Sequence, residues 1–388
     1  MFERPEGIEN CRIWVDGCFD FAHHGHAGAM LQARQLGKEL YAGVHSDEEI
    51  LANKGPCVMK LDERMTAVDA CKWSTKAIPN APYVTDPKFM EQYGCQYVVH
   101  GDDITTDANG EDTYQVVKDL GKFVVVKRTP NISTTDLVGR MLLMSKSHHY
   151  RDLNVEKNWQ KLINEGDNLD RFTRYATDET GLHPGSVVYL NTPEELKTIV
   201  EPKKEEEADV SPQYVYIDGG FDLFHPGHIE VLKLAHEKAQ KLGNGTTKVI
   251  VGIHDDITVN KYKGLNYPIM NIFERSLCVL QCKYVDGIVL NAPYVPTLEF
   301  LSRIGNVVKV FHGPTEVDAS VYEEVSGKGN GKVVFETLPK HKYDHMSTEF
   351  IVDRVLQNKA LYVERQKKKG WKAEVEKVLE AKEKAKGE

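Results

Sequence analysis

Residues 14–31 read WVDGCFDFAHHGHAGAML, and this stretch decides the fold because residues 216–232 read YIDGGFDLFHPGHIEVL. Each stretch begins with a short apolar run, turns at glycine and continues into a helical pattern. Asp16 matches Asp218 at an offset of 202 (218 − 16). A match of this kind predicts that the chain contains one domain twice.

Further matches follow in the same order along the chain. They pair GVHSD at 43 with GIHDD at 252, KG at 54 with KG at 263, ER at 63 with ER at 274, NAPYV at 80 with NAPYV at 291, HG at 100 with HG at 312, and IST at 132 with MST at 346. The offset rises steadily to 214 (346 − 132), so short insertions separate the blocks. We infer a duplicated domain of roughly 140–150 residues.

Strand and helix patterns alternate within each copy. In the first copy we expect strands over 13–15, 40–44, 97–100 and 123–127, and helices over 26–36, 62–70, 114–120 and 133–144. This alternation predicts an α/β fold, a parallel sheet with helices on both faces. Ligands of such sheets bind beyond the carboxyl ends of the strands.

The remaining segments predict the domain boundaries. We expect a first domain over 1–150, a connector over 151–212, a second domain over 213–357 and a charged C-terminal helix over 358–388. The connector ends in EPKKEEEADVSPQ, which is typical of a solvated linker. Its apolar stretches, 159–163 and 186–190, are expected to pack on a domain.

Composition excludes several classes of protein. The 388 residues include 49 basic and 58 acidic side chains, a net charge of −9, which argues against a nucleic-acid-binding protein. Seven cysteines without a CxxC pair indicate reduced thiols, and we expect Cys278 and Cys282 to be small buried hydrophobic residues. The N-terminus lacks a signal-peptide pattern, and no apolar run reaches about 20 residues. We therefore expect a cytoplasmic protein that is not integral to a membrane.

Two histidines at the start of the first helix are the leading candidates for chemistry. His23 and His26 flank Gly25, and a helix N-terminus offers free N–H groups and a positive dipole to phosphate. They could instead be structural residues that cap a turn, but the same pattern at His225 and His228 favours phosphate chemistry. A zinc site at these histidines is disfavoured, because His24 is not repeated in the second copy and no cysteine joins them at metal-ligand spacing.

Three further segments of the first copy favour phosphate binding. Lys54 precedes a glycine in what we predict to be a loop, and its repetition as Lys263 argues against an ordinary surface lysine. Arg128 precedes Ser133-x-x-Asp136, which resembles a capping box and predicts a second helix N-terminus facing phosphate. The acids of HGDD at 100–103 end a strand and could bind Mg²⁺.

Other nucleotide-binding and hydrolytic motifs are missing. The sequence contains no GxxxxGK[ST], which excludes a P-loop enzyme, and no GxSxG. GxGxxG is absent after the first strand of either copy, which disfavours a dinucleotide-dependent dehydrogenase.

The motifs DGCFDFAHHGH, KG, GDD and RTPNISTT resemble the HxGH and RTxGISTT signatures of the cytidylyltransferases, within the nucleotidyltransferase superfamily. The resemblance covers about residues 11–145 and 213–357, and the tandem arrangement is similar to that of the ethanolamine-phosphate branch of the family. It implies two tandem Rossmann-like domains and the transfer of CMP from CTP to phosphoethanolamine, with release of pyrophosphate. It also implies Mg²⁺ bound with CTP.

The resemblance carries residue roles onto matching positions. It implies that the catalytic residues are His23, His26, Lys54 and Arg128. It implies that CTP is bound by Gly17, Cys18, Phe19, Gly25, Gly101, Asp102, Asp103, Ser133, Thr134 and Thr135. The nucleotide site of the second domain would comprise Gly219, Gly220, Phe221, His225, His228, Lys263, His312, Gly313, Thr315, Ser347 and Thr348.

The sequence departs from the family pattern in both copies. In the first, Asn131 replaces glycine, and asparagine tolerates the left-handed conformation. In the second, Lys342 stands at the position of Arg128, Glu349 stands at that of Thr135, and HGDD becomes HGPT. A lysine lacks the guanidinium fork, and a carboxylate repels phosphate. We predict that the first copy carries most of the turnover and that the second binds nucleotide weakly, supports the fold or regulates.

Several alternatives stay open at this stage. The acceptor could be another phospho-alcohol such as phosphocholine, the donor could be ATP, or the chain could be a nucleotide-sensing scaffold without turnover. We expect no nucleic-acid partner and at most peripheral contact with a membrane such as the endoplasmic reticulum. Homo-oligomerisation is left open.

Overall fold

The computed structural model describes residues 4–202, 212–242, 246–315, 322–326, 333–364 and 367. The chain divides into two compact units. One comprises Met1–Leu142 together with Ile351–Glu388, and the other comprises Leu143–Phe350.

The described part of the first unit is built on a five-stranded parallel sheet in the order β3-β2-β1-β4-β5. Its elements are β1 (Arg12–Gly17), α1 (His24–Leu36), β2 (Glu39–His45), α2 (Asp47–Lys54), α3 (Leu61–Asp69), β3 (Lys76–Ala81), α4 (Pro87–Glu91), β4 (Cys95–Gly101), α5 (Gln115–Asp119), β5 (Phe123–Val126) and α6 (Thr134–Leu143).

The described part of the second unit contains a seven-stranded sheet in the order β12-β11-β8-β9-β10-β6-β7. Its elements are α7 (Glu156–Asn164), α8 (Asn168–Tyr175), β6 (Val187–Asn191), β7 (Leu196–Val200), β8 (Gln213–Gly219), α9 (Pro226–Leu242), β9 (Lys248–Ile253), α10 (Asp256–Lys263), α11 (Ile272–Leu280), β10 (Gly287–Leu290), α12 (Leu298–Ile304), β11 (Asn306–His312), α13 (Glu323–Ser326), β12 (Val334–Thr337) and α14 (Thr348–Gln357). The last helix begins in this unit and continues into the first at Ile351.

The predicted duplication and fold class are confirmed. Strands β10-β9-β8-β11-β12 repeat the order of β3-β2-β1-β4-β5, one for one. The connector adds two strands at one edge of the second sheet, β6 and β7, and β7 pairs antiparallel with β6. A two-stranded connection of that kind needs only a short turn, whereas a parallel pair needs a crossover.

Strand β1 and its counterpart β8 each pack a large aromatic ring over a glycine of the neighbouring strand. A Cβ on Gly43 would lie 2.2 Å from the Trp14 ring, and one on Gly252 would lie 2.0 Å from the Tyr216 hydroxyl. Trp14 and Tyr216 are both buried. The repeated glycine of GVH and GIH is therefore required by this close approach.

Most of the connector belongs to the second unit. Strand β6 pairs with β10, and Leu162 and Ile163 of α7 are buried, as the apolar stretches predicted. The charged end of the connector, 203–211, lies outside the described residues, as does most of the predicted C-terminal helix beyond 364. The observed units differ from the predicted boundaries, because the described residues 351–364 group with the first repeat and the residues from Leu143 group with the second.

All seven cysteines are free thiols, and Cys278 and Cys282 are fully buried, as predicted. Within the described ranges, no helix combines the length and the apolar character that crossing a membrane requires.

Candidate functional site

His23 and His26 form a stacked pair at the mouth of α1. His23 is the N-cap residue of the helix, and the two ring centroids lie 3.9 Å apart with an interplanar angle of 18°. Both imidazoles therefore lie on the same side of the first turn of α1. Stacking fixes both ring planes, so their N–H groups have defined directions.

Both rings are neutral at physiological pH. Burial, with the neighbouring His26 and the charge of Arg128, lowers the pKa of His23 well below 6.5. Burial, followed by the charges of Lys54 and Arg128, lowers the pKa of His26 to about 3. The Nδ1 atom of His23 accepts the Gly25 N–H at 3.2 Å, so the proton of this neutral ring lies on Nε2. His23 therefore presents a hydrogen-bond donor.

Gly25 is required by packing inside the protein. A Cβ there would lie 2.7 Å from Ile132 and 2.9 Å from the His23 ring. Any larger side chain at this position would therefore displace Ile132 or the His23 ring. The glycine lets the loop before α6 pack on the histidine pair.

Lys54 is the last residue of α2, and our prediction that it lies in a loop is wrong. The helix is capped by the Ser46 hydroxyl, which accepts the Glu49 N–H, and it ends where Gly55 adopts φ 91°. Acidic residues in the first turn favour this helix. The Lys54 ammonium lies 5.5 Å from the centroid of the Tyr83 ring. Its charge acts on His26, so the structure brings the two together.

Arg128 follows β5 and pairs with the carboxyl end of β4. Its Nη1 lies 3.1 Å from Asp103 Oδ2, and its backbone N–H donates to Asp102 Oδ1 at 3.1 Å. Half of the Arg128 side chain is exposed. Since this pair is open to water, it is held weakly and an incoming phosphate can take over the guanidinium.

The second predicted helix N-terminus is also present. The Ser133 hydroxyl accepts the Asp136 N–H at 3.1 Å and donates to the Asp136 carboxylate at 2.6 Å, so the predicted cap is confirmed. Asn131 has φ 65°, the left-handed conformation that we expected asparagine to tolerate. The Thr134 hydroxyl donates to the Asp20 carbonyl at 3.2 Å, which ties the start of α6 to the loop before α1.

A buried charge network holds these loops, and its residues were not predicted from the sequence. Asp20 accepts the N–H groups of Val58 and Met59 at 2.9 and 2.8 Å. The guanidinium of Arg64, fully buried, donates to the carbonyls of Cys18 and Met59 at 2.7 and 3.0 Å. The repetition of Glu-Arg at 63 and 274 was the available signal, because buried arginines need specific partners.

Asp16 is a second residue without an assigned role. It is the penultimate residue of β1 and accepts three hydrogen bonds, from Trp14 Nε1 (2.9 Å), the Thr85 hydroxyl (2.7 Å) and the Tyr114 hydroxyl (2.7 Å). These bonds hold the carboxylate rigidly at the carboxyl edge of the sheet. Its match with Asp218 in the duplicated motif was the signal that could have identified it.

The second repeat preserves the histidine pair. His225 and His228 stack with centroids 3.8 Å apart, and burial lowers the pKa of His228 to about 3. Among the described residues, neither ring nitrogen of His225 has a hydrogen-bond partner, in contrast to His23. The tautomer of His225 is therefore not set by the protein as that of His23 is.

The charges around the second pair differ from those of the first. Lys263, the counterpart of Lys54, forms an ion pair with Glu349 at 2.5 Å. Burial acts to raise the pKa of Glu349, but the hydrogen bond and charge of Lys263, together with hydrogen bonds from its own backbone and from Ser347, lower it. Lys342, the counterpart of Arg128, donates to the Tyr343 hydroxyl at 2.8 Å. An internal carboxylate thus lies against the lysine that would face phosphate.

The other predicted residues of the second site lie on the same elements as in the first repeat. Thr348 donates to the Asp222 carbonyl at 3.1 Å, as Thr134 does to Asp20, and Ser347 accepts the Phe350 N–H. The remaining ones end β8 and β11 or follow them directly: Gly219, Gly220, Phe221, His312, Gly313 and Thr315.

Within the part of the chain that the structure describes, no group of three or more His, Cys, Asp or Glu side chains could hold a metal ion. Asp102 and Asp103 lie at the carboxyl end of β4, and 41% of the Asp103 side chain is exposed. Mg²⁺ is commonly held by one or two carboxylates and substrate phosphates, and this pair fits that pattern.

Comparison with known proteins identifies relatives of the whole chain. The family model for cytidylyltransferase-like domains matches residues 14–140 and 216–354. Ethanolamine-phosphate cytidylyltransferase of Mus musculus is 37% identical over 375 residues, covering 92% of this chain and 89% of the relative. That of Dictyostelium discoideum is 38% identical over 381 residues, covering 92% and 94%. Choline-phosphate cytidylyltransferase A of Mus musculus is 32% identical over 187 residues, 45% of this chain.

Proposed function

Since the chain belongs to the ethanolamine-phosphate cytidylyltransferases, which transfer CMP from CTP to phosphoethanolamine, we propose that its first repeat carries this reaction. The observation that supports the assignment is the neutral, stacked pair of His23 and His26, with Lys54 and Arg128 acting on it. In the second repeat the corresponding lysine is bound by a carboxylate.

The reaction needs little general acid–base catalysis from the protein. A phosphomonoester with a second pKa near 6 is largely ionised at neutral pH, so its oxygen can attack without a strong base. A bond forms between that oxygen and the α-phosphorus of CTP. The bond from this phosphorus to the bridging oxygen of the β-phosphate breaks, and pyrophosphate leaves with that electron pair. The protein must align two anions and stabilise the charge that spreads over the phosphoryl oxygens.

The histidine pair supplies donors to those oxygens. His23 presents Nε2–H, because its Nδ1 is held by the Gly25 N–H. Neutral imidazoles avoid the cost of burying two like charges side by side in the unliganded site. The N-terminus of α1, directly behind the rings, adds the positive end of its dipole. The backbone N–H groups of Gly17, Cys18 and Phe19 are proposed to contact the phosphates from the same loop.

Lys54 and Arg128 would neutralise the triphosphate and the departing pyrophosphate. Arg128 can exchange its exposed ion pair with Asp103 for a bidentate contact with phosphate. The start of α6, with Ser133, Thr134 and Thr135, offers a second helix N-terminus to the same anion.

Mg²⁺ would accompany CTP, with Asp102 or Asp103 as its protein ligand. When bound, the ion neutralises charge on the triphosphate oxygens. Release of Arg128 from Asp103 would then free both groups, the guanidinium for phosphate and the carboxylate for the cation. The Mg²⁺ dependence of pyrophosphate release, compared between the wild type and Asp103→Asn, tests this exchange of contacts.

The test of the proposed function is pyrophosphate release by the purified protein with Mg²⁺ and CTP. Phosphoethanolamine, phosphocholine and glycerol 3-phosphate are compared as acceptors, and ATP replaces CTP as the donor control. We expect rapid release only with CTP and phosphoethanolamine, and a large but still measurable fall in kcat/KM in Lys54→Ala. Equal rates with another acceptor or with ATP, or an unaffected Lys54→Ala, would contradict the proposal.

A further inference from the structure

The segment that follows Lys54 is a loop, residues 55–60, which we call the lysine loop. It joins α2 to α3, and its first anchors come from its own repeat. Asp20 accepts its Val58 and Met59 N–H groups, and Arg64 donates to the Met59 carbonyl. Because Lys54 is the residue directly before this loop, the loop's position decides where the ammonium lies.

Two further anchors come from the far end of the chain. The Arg354 guanidinium holds both Glu63 carboxylate oxygens, at 2.7 and 2.9 Å, and donates to the Val58 carbonyl at 2.8 Å. The Tyr362 hydroxyl donates to the Cys57 carbonyl at 3.1 Å, and Tyr362 is buried. Glu63 in turn accepts the Lys60 N–H, which ends the loop. Residues beyond Ile351 thus complete the support of the lysine loop.

The second repeat has the same arrangement with a different donor. Pro268, which matches Cys57 at the offset of 211, presents its carbonyl to the Nε2 atoms of His148 and His149, at 3.0 and 2.8 Å. At the offset of 214, Tyr362 matches His148 (362 − 214 = 148). In each unit the loop after the lysine is therefore held by residues that follow the last helix of the other repeat, and in the first unit Arg354 of that helix adds to them. The division of the chain into units at 142/143 and 350/351 reflects this exchange.

We propose that Arg354 and Tyr362 are positioning residues for catalysis in the first repeat, acting through the lysine loop on Lys54. On this account the C-terminal end of the second repeat has a role in turnover that does not depend on nucleotide bound at the second site. The inference rests on the proposed role of Lys54 as a phosphate ligand.

The test combines steady-state kinetics of the full-length chain with a double-mutant cycle. Arg354→Ala is expected to lower kcat/KM for CTP by about 10- to 100-fold, because a small misplacement of a charged group is amplified in the rate. In the Lys54→Ala background the same substitution should lower it less than about twofold, because the group it positions is gone. As a matched control, Arg303→Ala removes an arginine that is also paired with a glutamate, and it should leave kcat/KM for CTP unchanged.

Tyr362→Phe keeps the ring and removes only the hydroxyl, so it tests the inference even if Arg354→Ala fails to fold, which thermal unfolding will report. It should lower kcat/KM for CTP several-fold in the wild type and leave it unchanged in Lys54→Ala. Equal losses in both backgrounds, or no loss from Tyr362→Phe and Arg354→Lys, would overturn the inference. Full activity of Lys54→Ala alone would instead refute the proposed function.

Discussion

The ion pair between Lys263 and Glu349 predicts that one substitution improves nucleotide binding at the second site. Glu349 occupies the position of Thr135, at the start of the helix that would face phosphate. Glu349→Thr restores the residue of the first repeat and removes a carboxylate from beside Lys263. Glu349→Gln removes the charge alone and keeps the size of the side chain.

The magnitude follows from the exposure of the pair. Two unit charges 4 Å apart interact by about 4 kcal/mol at an effective dielectric constant of about 20. The side chains of Lys263 and Glu349 are 36% and 44% exposed, so water and salt screen the repulsion of an incoming phosphate. We expect about 1–2 kcal/mol to remain. At about 1.4 kcal/mol for each tenfold change, the Kd for CTP should fall about tenfold.

Isothermal titration calorimetry with CTP measures this effect. Lys54→Ala combined with Arg128→Ala weakens the first site, so the remaining heat reports the second. Both Glu349 substitutions should tighten binding relative to this background, and the gain should shrink at high salt. Unchanged or weaker binding in both would refute the view that the carboxylate blocks the second site.

Three further predictions concern single positions. Thr135→Glu, the reciprocal change, places a carboxylate at the start of α6 and should lower kcat/KM for CTP about tenfold by similar arithmetic, as steady-state pyrophosphate release would show. Asn131→Gly should retain stability whereas Asn131→Val should lose about 1–2 kcal/mol, since φ is 65° there, and urea denaturation of the two variants checks it. His26 has a pKa of about 3 when folded, so below 6.5 the unfolded chain binds more protons and stability is lost as the pH falls. Between pH 7 and pH 5 the wild type should therefore lose about 2 kcal/mol more unfolding free energy than His26→Gln, at about 1.4 kcal/mol per pH unit. Urea unfolding at the two pH values measures this loss, and an equal pH dependence of the two proteins would contradict the prediction.

The duplicated motifs were sufficient to predict one α/β fold in both repeats, because matching blocks in matching order require matching folds. Strand β3 was not predicted, because it lies at the edge of its sheet and Pro79 interrupts its pattern. Lys54 was placed in a loop because its glycine neighbour suggested a turn, whereas that glycine terminates a helix.

The histidine pair and both helix N-termini were also predictable, since their spacing is local. Hydrogen-bond partners that lie far apart in the sequence could not be predicted. Asp16 and Arg64 draw their hydrogen bonds from residues far away in sequence, and no periodicity connects Arg354 with Glu63. The pairing of Lys263 with Glu349 lies between these cases, because the substitution was visible in the alignment of repeats but the contact was not.

The most direct test of the central claim compares His23→Ala with His225→Ala in the full-length protein. The two substitutions remove equivalent members of two stacked pairs, so each serves as the control of the other. Pyrophosphate release from CTP and phosphoethanolamine should be abolished by His23→Ala and reduced much less by His225→Ala. The reverse ranking, with His225→Ala the more damaging, would contradict the assignment of turnover to the first repeat.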